Sequence, residues 1–376
     1  MFKNILLLLP VFVFFCFSIM LSADEPDKTA ALQGKIKSLC KESKFEEALK
    51  EYGNLSADTA VPDKAKADSA DYIIGVINHK KKSEIKKVKA KIDETSRLQM
   101  KSMKEELNKR REAALEIIFD DSVYPEGDSG KAAQPKVNEK VDAVREIWDN
   151  FAVKASDLPA NVSSSLEYIR ALDGYLATLG ETVKPEEEAG SLLLGAGRDE
   201  FRNFSLNNTE KELIEYNRKI HEANENCVTV MSRDEMDIFK KTNEYREMLG
   251  LKILGANDSL AKAAKKHTEW CVKRGKIDHI QDITASRTPQ DRAGQEGYKK
   301  EVGENLHQRT AVGDVVQAVF NGWYNSPAHH KTMLRDWNES GISQIVSGDA
   351  FSTQMFGTAE PAVLKYSKKN KKNSKK

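Results

Sequence analysis

The sequence predicts an α+β domain at the C-terminus, preceded by an all-α region. Residues 24–230 are charged and predict helices, most clearly at residues 83–121, where apolar residues recur mostly at steps of three and four among Lys, Glu and Ala. From residue 231 to residue 364, shorter helical stripes are followed by a hairpin pattern. In this pattern, residues 341–346 and 351–356 flank a Gly-Asp turn, which predicts the last two strands of a small antiparallel sheet.

The length and charge of the chain limit its function class. A chain of 376 residues is expected to form more than one compact region. Its net charge is only +1, which argues against nucleic-acid binding. The positive charge is concentrated in residues 365–376, which contain seven lysines. We predict that these residues form a disordered tail, which either attaches to an anionic envelope by charge or is a solvated end.

The N-terminus predicts export. A basic start is followed by an apolar run from Ile5 to Leu21 and then by Ser22 and Ala23, which is typical of a secretory signal spanning residues 1–23. The run is long for such a signal, so an uncleaved membrane anchor is the alternative. Pro10 in its middle favours the signal. We therefore expect a secreted, periplasmic or envelope protein.

The cysteine count does not predict a disulfide framework. After removal of residues 1–23, Cys40, Cys227 and Cys271 remain, and an odd number leaves at least one thiol free or bonded to another chain. A bond between Cys227 and Cys271 stays open. The alternative is that Cys271 is buried as a small hydrophobic residue, because it lies on the apolar stripe of a predicted helix.

The all-α region divides into residues 24–122 and 136–230. Residues 41–55 resemble half of a tetratricopeptide-type helix pair, but no second copy follows, so we predict a lone helix pair. Residues 83–121 predict a long amphipathic helix, either in a coiled coil or in an antiparallel bundle, and the absence of sustained heptads favours the bundle. Further helices are predicted over residues 137–155, 163–179 and 209–226.

Residues 123–135 contain Gly, Pro and Ser and predict a linker within this region. Neither side of the linker contains a cluster of His, Cys or acidic residues at the spacing of a ligand set. We therefore interpret residues 24–230 as a scaffold, or as the binding surface for an unidentified protein partner.

Residues 231–364 begin with a capping box, Ser232 to Glu235, which predicts the start of a helix. Asn243 and Arg246 lie on the apolar stripe of this helix. Buried polar groups must be hydrogen-bonded, so we interpret both as structural residues that tie loops to the helix. A helix from Val315 is also predicted.

The next predicted helix is capped by Asp258 and ends at Gly275. His267 lies on its apolar stripe and is interpreted as a core histidine. In the loop that follows, Asp291 and Arg292 are expected to pair with each other.

Two histidines and one carboxylate suggest a site: His279, Glu304 and His329. Each lies on a separate short segment flanked by Gly, Pro or Ser, which suits a cleft built from loops. Their long, irregular separations are weak evidence in comparison with a motif such as HExxH. For Glu304, a functional carboxylate and an acceptor for backbone NH groups both stay open.

Residues 234–357 resemble bacterial SCP-like members of the CAP superfamily, which includes cysteine-rich secretory proteins, antigen 5 and pathogenesis-related-1. Seven segments match in the order of the family: NEYREMLGL, DSLAKAAKKHTEW, DHI, TPQDRAGQEGY, GENL, W-x-x-SPAH and TQMFG. They cover about one third of the chain. The resemblance implies an α-β-α sandwich with a cleft formed by His279, Glu304 and His329, a structural Asn305, and a surface position for His330.

The chain departs from the family at one position. Many members have a second acidic residue three positions after the tryptophan, whereas Ser326 stands three positions after Trp323 here. Two histidines and one carboxylate therefore remain. With carboxylate or water completing a tetrahedron, His279 and His329 are the predicted ligands of a zinc ion. Ligand histidines must be neutral, so affinity should fall below a pH of about 6.5.

The resemblance implies a secreted, non-enzymatic binding module for a divalent cation or a hydrophobic ligand, such as a lipid or another envelope component. The alternative is a metal-dependent extracellular hydrolase or peptidase. The sequence provides no clear nucleophile for it: Ser326 lies near His329, but no GxSxG motif is present.

Overall fold

The computed structural model describes residues 25–153, 157–182, 184, 192, 195–362 and 364. The predicted signal, residues 1–23, and the predicted tail, residues 365–376, lie outside the described residues. The chain forms two compact units. The first contains residues up to Leu98 and Ala152–Ala196, and the second contains Gln99–Phe151 and the residues from Gly197 onward. Within the described ranges, no helix has both the length and the apolar character that crossing a membrane requires.

The elements of the described residues follow in chain order. The helices are α1 (Glu25–Lys41), α2 (Phe45–Ala57), α3 (Asp63–Phe119), α4 (Gln134–Asn150), α5 (Ala160–Thr178), α6 (Arg198–Asn203), α7 (Asn208–Glu225), α8 (Arg233–Met248), α9 (Asp258–Arg274), α10 (Pro289–Gln295), α11 (Val315–Tyr324) and α12 (Pro327–Leu334). The strands are β1 (Gly255–Ala256), β2 (Val302–Thr310), β3 (Glu339–Ser347) and β4 (Asp349–Gly357). Two 3-10 helices span Asp128–Ala133 and Thr284–Ser286.

The first unit is built from helices. Helices α1 and α2 form the predicted pair, and their apolar residues pack with Ile73 and Ile77 of α3 and with Leu172 of α5. Further along α3, Ile85 and Val88 also pack against α5. Helix α3 begins at residue 63, well before the predicted start at residue 83, because its early turns also bury an apolar stripe.

Residues 123–135, predicted as a linker, belong to the second compact unit and contain a 3-10 helix. Tyr124 in this segment is completely buried. The Gly and Pro residues therefore shape a packed turn, and the compact units follow a division different from the predicted domain boundaries. Composition alone does not distinguish a packed turn from an exposed linker.

The second unit contains a four-stranded sheet in the order β1-β3-β4-β2. Strand β1 runs parallel to β3, and the other pairs are antiparallel. Successive residues of a strand face opposite sides. Accordingly, Phe356 packs with residues of α8 and α11 in one core cluster, whereas Met355 packs with residues of α9 and α10 in the other. This arrangement confirms the predicted α+β fold and the α-β-α sandwich.

Two local predictions are corrected. The turn of the hairpin is tighter than predicted, because β3 and β4 are separated by Gly348 alone, which has a φ of 73°. Helix α9 is capped by the side chain of Asn257, since the carboxylate of Asp258 accepts hydrogen bonds from Thr229 and Val230. Cys40, Cys227 and Cys271 are all free thiols, and Cys271 is buried, which agrees with the alternative that the sequence left open beside a bond to Cys227.

Two buried polar residues of α8 hold the surrounding loops. The side chain of Arg246 donates hydrogen bonds to the backbone carbonyl oxygens of Lys252, Met333, Arg335 and Trp337. Asn243 donates to the carbonyl oxygen of Leu254 and accepts from the amide of the same residue. Their bonds offset the cost of burying a charge and an amide. They fasten the segment before α9, the end of α12 and the segment before β3 to helix α8.

Candidate functional site: a buried carboxylate between histidines and an arginine

The candidate site is centred on Glu304 of β2, whose side chain is only 1% exposed. One carboxylate oxygen, Oε1, lies 2.8 Å from Nδ1 of His279, and the other, Oε2, accepts a hydrogen bond from Arg292 at 2.5 Å. Burial acts to raise the pKa of Glu304, but the hydrogen bond from His279 and the charge and hydrogen bond of Arg292 outweigh it, so the pKa is lowered. Glu304 is therefore an ionised carboxylate in the interior of the domain.

Arg292 of α10 organises the loop that carries His279. Besides its pair with Glu304, it donates to the carbonyl oxygens of His279, Ser286 and Arg287. The prediction that Asp291 and Arg292 pair with each other was wrong. Asp291 lies at the start of α10 and forms a capping box with Thr288, while Arg292, one position later, points into the interior.

His267 lies on the buried side of Glu304. Its Nε2 is 3.7 Å from Glu304 Oε1, and its Nδ1 is 2.7 Å from Nε2 of Gln281, which can only donate. The proton of the neutral ring is therefore on Nε2, on the side that faces the carboxylate. Burial lowers the pKa of His267 to about 4, against the attraction of Glu304. His267 is thus a hydrogen-bonded neutral histidine of the core, and it also helps to stabilise the ionised carboxylate.

His329 and His330 lie next to each other on α12 in different environments. Burial and the nearby charges of His279 and His307 lower the pKa of His329 to about 4. Within the described part of the chain, no hydrogen-bond partner of the His329 ring is found. The expected surface position of His330 was wrong: its ring is completely buried, and its Nε2 lies 2.7 Å from Oη of Tyr245. A helix turns about 100° per residue, so neighbouring rings cannot share one surface.

His307 is a neighbour of His329 that the sequence reading missed. It lies on β2 two positions after Asn305, and the period of two places both side chains on the same face of the sheet. Its ring lies against Gly322 of α11, where an added Cβ would come within 2.2 Å of Cε1, so only glycine leaves room for the ring. Its Nε2 is buried without a hydrogen-bond partner among the described residues. Strand alternation from the GENL motif could have indicated it.

The fit of this site to a metal ion is limited to two protein ligands. Among the described residues, no group of three or more His, Cys, Asp and Glu side chains is arranged to hold a metal ion. Both oxygens of Glu304 are already engaged by His279 and Arg292. Of the predicted cleft residues, His279 and His329 are therefore the donors that remain, with water or a bound molecule required to complete a coordination sphere.

A hollow of about 330 Å³ shares Gln281 and Arg292 with the site. Its apolar lining includes Trp270 and Ile283, and its rim contains exposed lysines. Two residues beside His279 on the same loop, Ile280 and Ile283, are also exposed.

Comparison with known proteins identifies the domain. Residues 239–356 match the model of the cysteine-rich secretory protein family, CAP. This part of the chain is a CAP domain. The match covers less than half of the chain, and the helical region before it is outside the match.

A curated relative of the CAP domain is the uncharacterized protein YkwD of Bacillus subtilis (strain 168). It is 25% identical over 128 residues, which are 34% of this chain and 48% of that protein. The chain thus spans about half the length of the curated relative that it matches.

Two solved structures are similar to the CAP domain. An outer surface protein from Borrelia burgdorferi is 21% identical, with 35% of this chain and 97% of that chain covered at a TM-score of 0.30. An extracellular protein containing an SCP domain from Bacillus anthracis str. Ames is 24% identical, with 34% and 40% covered at a TM-score of 0.30. Neither likeness bears on the function of this chain.

Proposed function

We propose that the CAP domain is a non-enzymatic binding module in which His279 and His329 hold a divalent cation such as Zn²⁺. The observation that carries the proposal is the 2.8 Å contact between Nδ1 of His279 and the ionised Glu304. A carboxylate can only accept, so the ring proton is on Nδ1 and the lone pair of Nε2 is available to a cation. Carboxylates orient metal-binding histidines in this way in many zinc sites.

His329 is the second donor of the proposed site. Its pKa of about 4 keeps the ring neutral near physiological pH, as a ligand histidine must be. Two protein ligands leave positions for water or for an oxygen of a bound molecule, which the cation would polarise as a Lewis acid. Ile280 and Ile283, both exposed beside His279, would provide apolar contacts to the rest of such a molecule.

One observation favours the alternative, a metal-dependent hydrolase. An imidazole oriented by a carboxylate is the arrangement of a general base, and His279 with Glu304 has it. However, no Ser, Thr or Cys side chain of the described residues hydrogen-bonds to His279. A hydrolase at this site would therefore need water as its nucleophile.

Calorimetry of the full chain with ZnCl₂ tests the cation site. We expect the double variant His279→Ala/His329→Ala to lose at least about tenfold in affinity, equivalent to about 1.4 kcal/mol, because both imidazole donors are removed. His221→Ala is the matched control. This partly exposed histidine pairs with Glu247, away from His279 and His329, and its removal should leave zinc uptake unchanged.

Equal zinc uptake by the wild type and the double variant would rule out the cation site. The same proteins, incubated with broad peptide and ester substrates, distinguish the two functions. Zinc-dependent turnover that disappears in His329→Ala would establish the hydrolase in place of the binding module.

We also propose that the CAP domain acts outside the cytoplasm, on the basis of the signal-like residues 1–23. Removal of this segment after Ala23 should produce a mature protein that begins at Asp24. N-terminal sequencing of the protein recovered from the producing cell tests this expectation. An intact N-terminus in the membrane fraction would instead establish an uncleaved anchor.

A further inference from the structure

Helix α12, which carries His329, is too short to be stable without tertiary contacts. It is eight residues long, and Ser326 at its N-terminus makes no side-chain capping bond. Isolated helices of this length are not stable in water. The location of His329 therefore depends on the tertiary contacts of α12.

One set of contacts comes from the core of the CAP domain. Tyr245 lies 2.7 Å from the ring of His330, and Asn305 donates a hydrogen bond to the carbonyl oxygen of His329 at 3.0 Å. Arg246 donates to the carbonyl oxygen of Met333 near the end of the helix. These contacts belong to the segment that matches the family model.

A second set comes from residues 120–138, which we call the strap. Tyr124 of the strap is completely buried, with its ring edge-on to His330 and its Oη 3.4 Å from His330 Nδ1. Asp121 pairs with Lys331, whose side chain is only 3% exposed. The strap lies before the matched segment, so these contacts are additional to the matched part of the CAP domain.

The strap also fits closely against the first turn of α12. A Cβ added to Gly130 would come within 2.8 Å of Cγ of Pro327 and 1.9 Å of the carbonyl oxygen of Pro125. The absence of a side chain at residue 130 therefore permits this contact. At the other end of the strap, Asn138 accepts a hydrogen bond from Tyr324, the last residue of α11, which lies three positions before the start of α12.

The two histidines of α12 face different surroundings. His330 contacts Tyr124 of the strap and Tyr245 of the core, whereas His329 is close enough to His279 and His307 for their charges to act on it. Because the residues are neighbours on one helix, any rotation or shift of α12 at His330 also moves His329. The strap thus acts on the site through the backbone of α12.

We propose that the strap positions His329, with Tyr124 as its main positioning residue, so that the affinity of the His279/His329 site depends on a segment outside the matched CAP domain. The part of this inference that concerns zinc affinity rests on the proposed function. Tyr124 does not touch the cation. It fills the space beside His330 and restricts the orientation of α12.

Three variants of the full chain test the inference. Tyr124→Ala should lower the affinity for zinc, measured by calorimetry with ZnCl₂, by about tenfold. The loss is expected because α12 would no longer hold His329 in the orientation for binding, and a tenfold loss corresponds to about 1.4 kcal/mol of binding free energy. Tyr124→Phe keeps the ring and should bind within about twofold of the wild type. Phe201→Ala removes a buried ring of α6 in the same unit, away from α12, and should lower stability without changing affinity.

A second readout does not require zinc. In spectra of the full chain labelled with ¹⁵N-histidine, the ring signal of His329 is assigned by its loss in His329→Gln. This signal should shift in Tyr124→Ala and stay in place in Phe201→Ala. If the wild type binds no zinc, the proposed function fails, while the spectra still decide the role of the strap.

Two results would overturn the inference. One is a Tyr124→Ala protein whose His329 signal matches that of the wild type. The other is an equal shift in Phe201→Ala, because the effect would then be general destabilisation of the unit.

Discussion

Arg292→Met is expected to destabilise the second unit by about 3–5 kcal/mol, because removal of one partner leaves the other charge buried and unpaired. The buried carboxylate of Glu304 would lose the positively charged guanidinium of Arg292 as its partner. The carbonyl oxygens of His279, Ser286 and Arg287 would also lose their shared hydrogen-bond donor. Urea unfolding followed by tryptophan fluorescence measures the effect. All four tryptophans, Trp148, Trp270, Trp323 and Trp337, lie in the second unit, so the signal reports on that unit alone.

Two further variants make the Arg292 result specific. Arg145→Met breaks an exposed pair with Asp142 in the same unit and should cost less than about 1 kcal/mol. Adding Glu304→Gln to Arg292→Met should recover part of the loss, since the unpaired charge is then removed. A loss below about 1 kcal/mol in Arg292→Met would show that the pair with Glu304 is not buried.

The free energy of unfolding of the second unit is expected to decrease as the pH falls. Part of this decrease should come from the protonation of His330 in the unfolded chain. Burial lowers the pKa of His330 to about 3, whereas an unfolded histidine titrates near about 6.5. Below about pH 6.5 the unfolded chain binds a proton that the native state does not bind, so the free energy of unfolding decreases as pH falls. The decrease should approach about 1.4 kcal/mol per pH unit from this residue.

Urea unfolding at a series of pH values between 7 and 4.5 measures this slope. His330→Gln should be less stable at neutral pH but should show a shallower decrease in acid than the wild type. His221→Gln provides a control of opposite sign. The hydrogen bond with Glu247 raises the pKa of His221, so its stabilising effect is present at low pH and its removal should steepen the acid slope. An unchanged slope in His330→Gln would contradict a neutral, buried His330.

The two proposals assign different roles to neighbouring residues of α12. His329 is a donor at the site, and His330 links the same helix to Tyr245 and to the strap. The proposals therefore predict that a substitution at either position lowers zinc affinity, but for different physical reasons. Unfolding experiments separate them, because His330 contributes to the buried core and the ring of His329 has no hydrogen-bond partner among the described residues.

Much of the fold was determined by local patterns in the sequence. The Ser232–Glu235 capping box begins α8, Gly275 ends α9, and alternating residues place Met355 and Phe356 on opposite faces of the sheet. These features depend on residues near each other in the chain, so a single sequence is enough to predict them. The grouping of His279 and Glu304 in one cleft was suggested weakly by their residue types and more specifically by the resemblance to the CAP superfamily, whereas the hydrogen bond between them was not predicted.

Only the tertiary structure decided which charged groups meet. Asp291 and Arg292 are adjacent in sequence, yet one caps α10 and the other pairs with Glu304 across the interior. Similarly, His330 was expected at the surface and is buried beside Tyr124 from a segment predicted to be a linker. Burial and long-range pairing depend on how elements far apart in the chain pack together, and the local pattern around each residue does not contain that information.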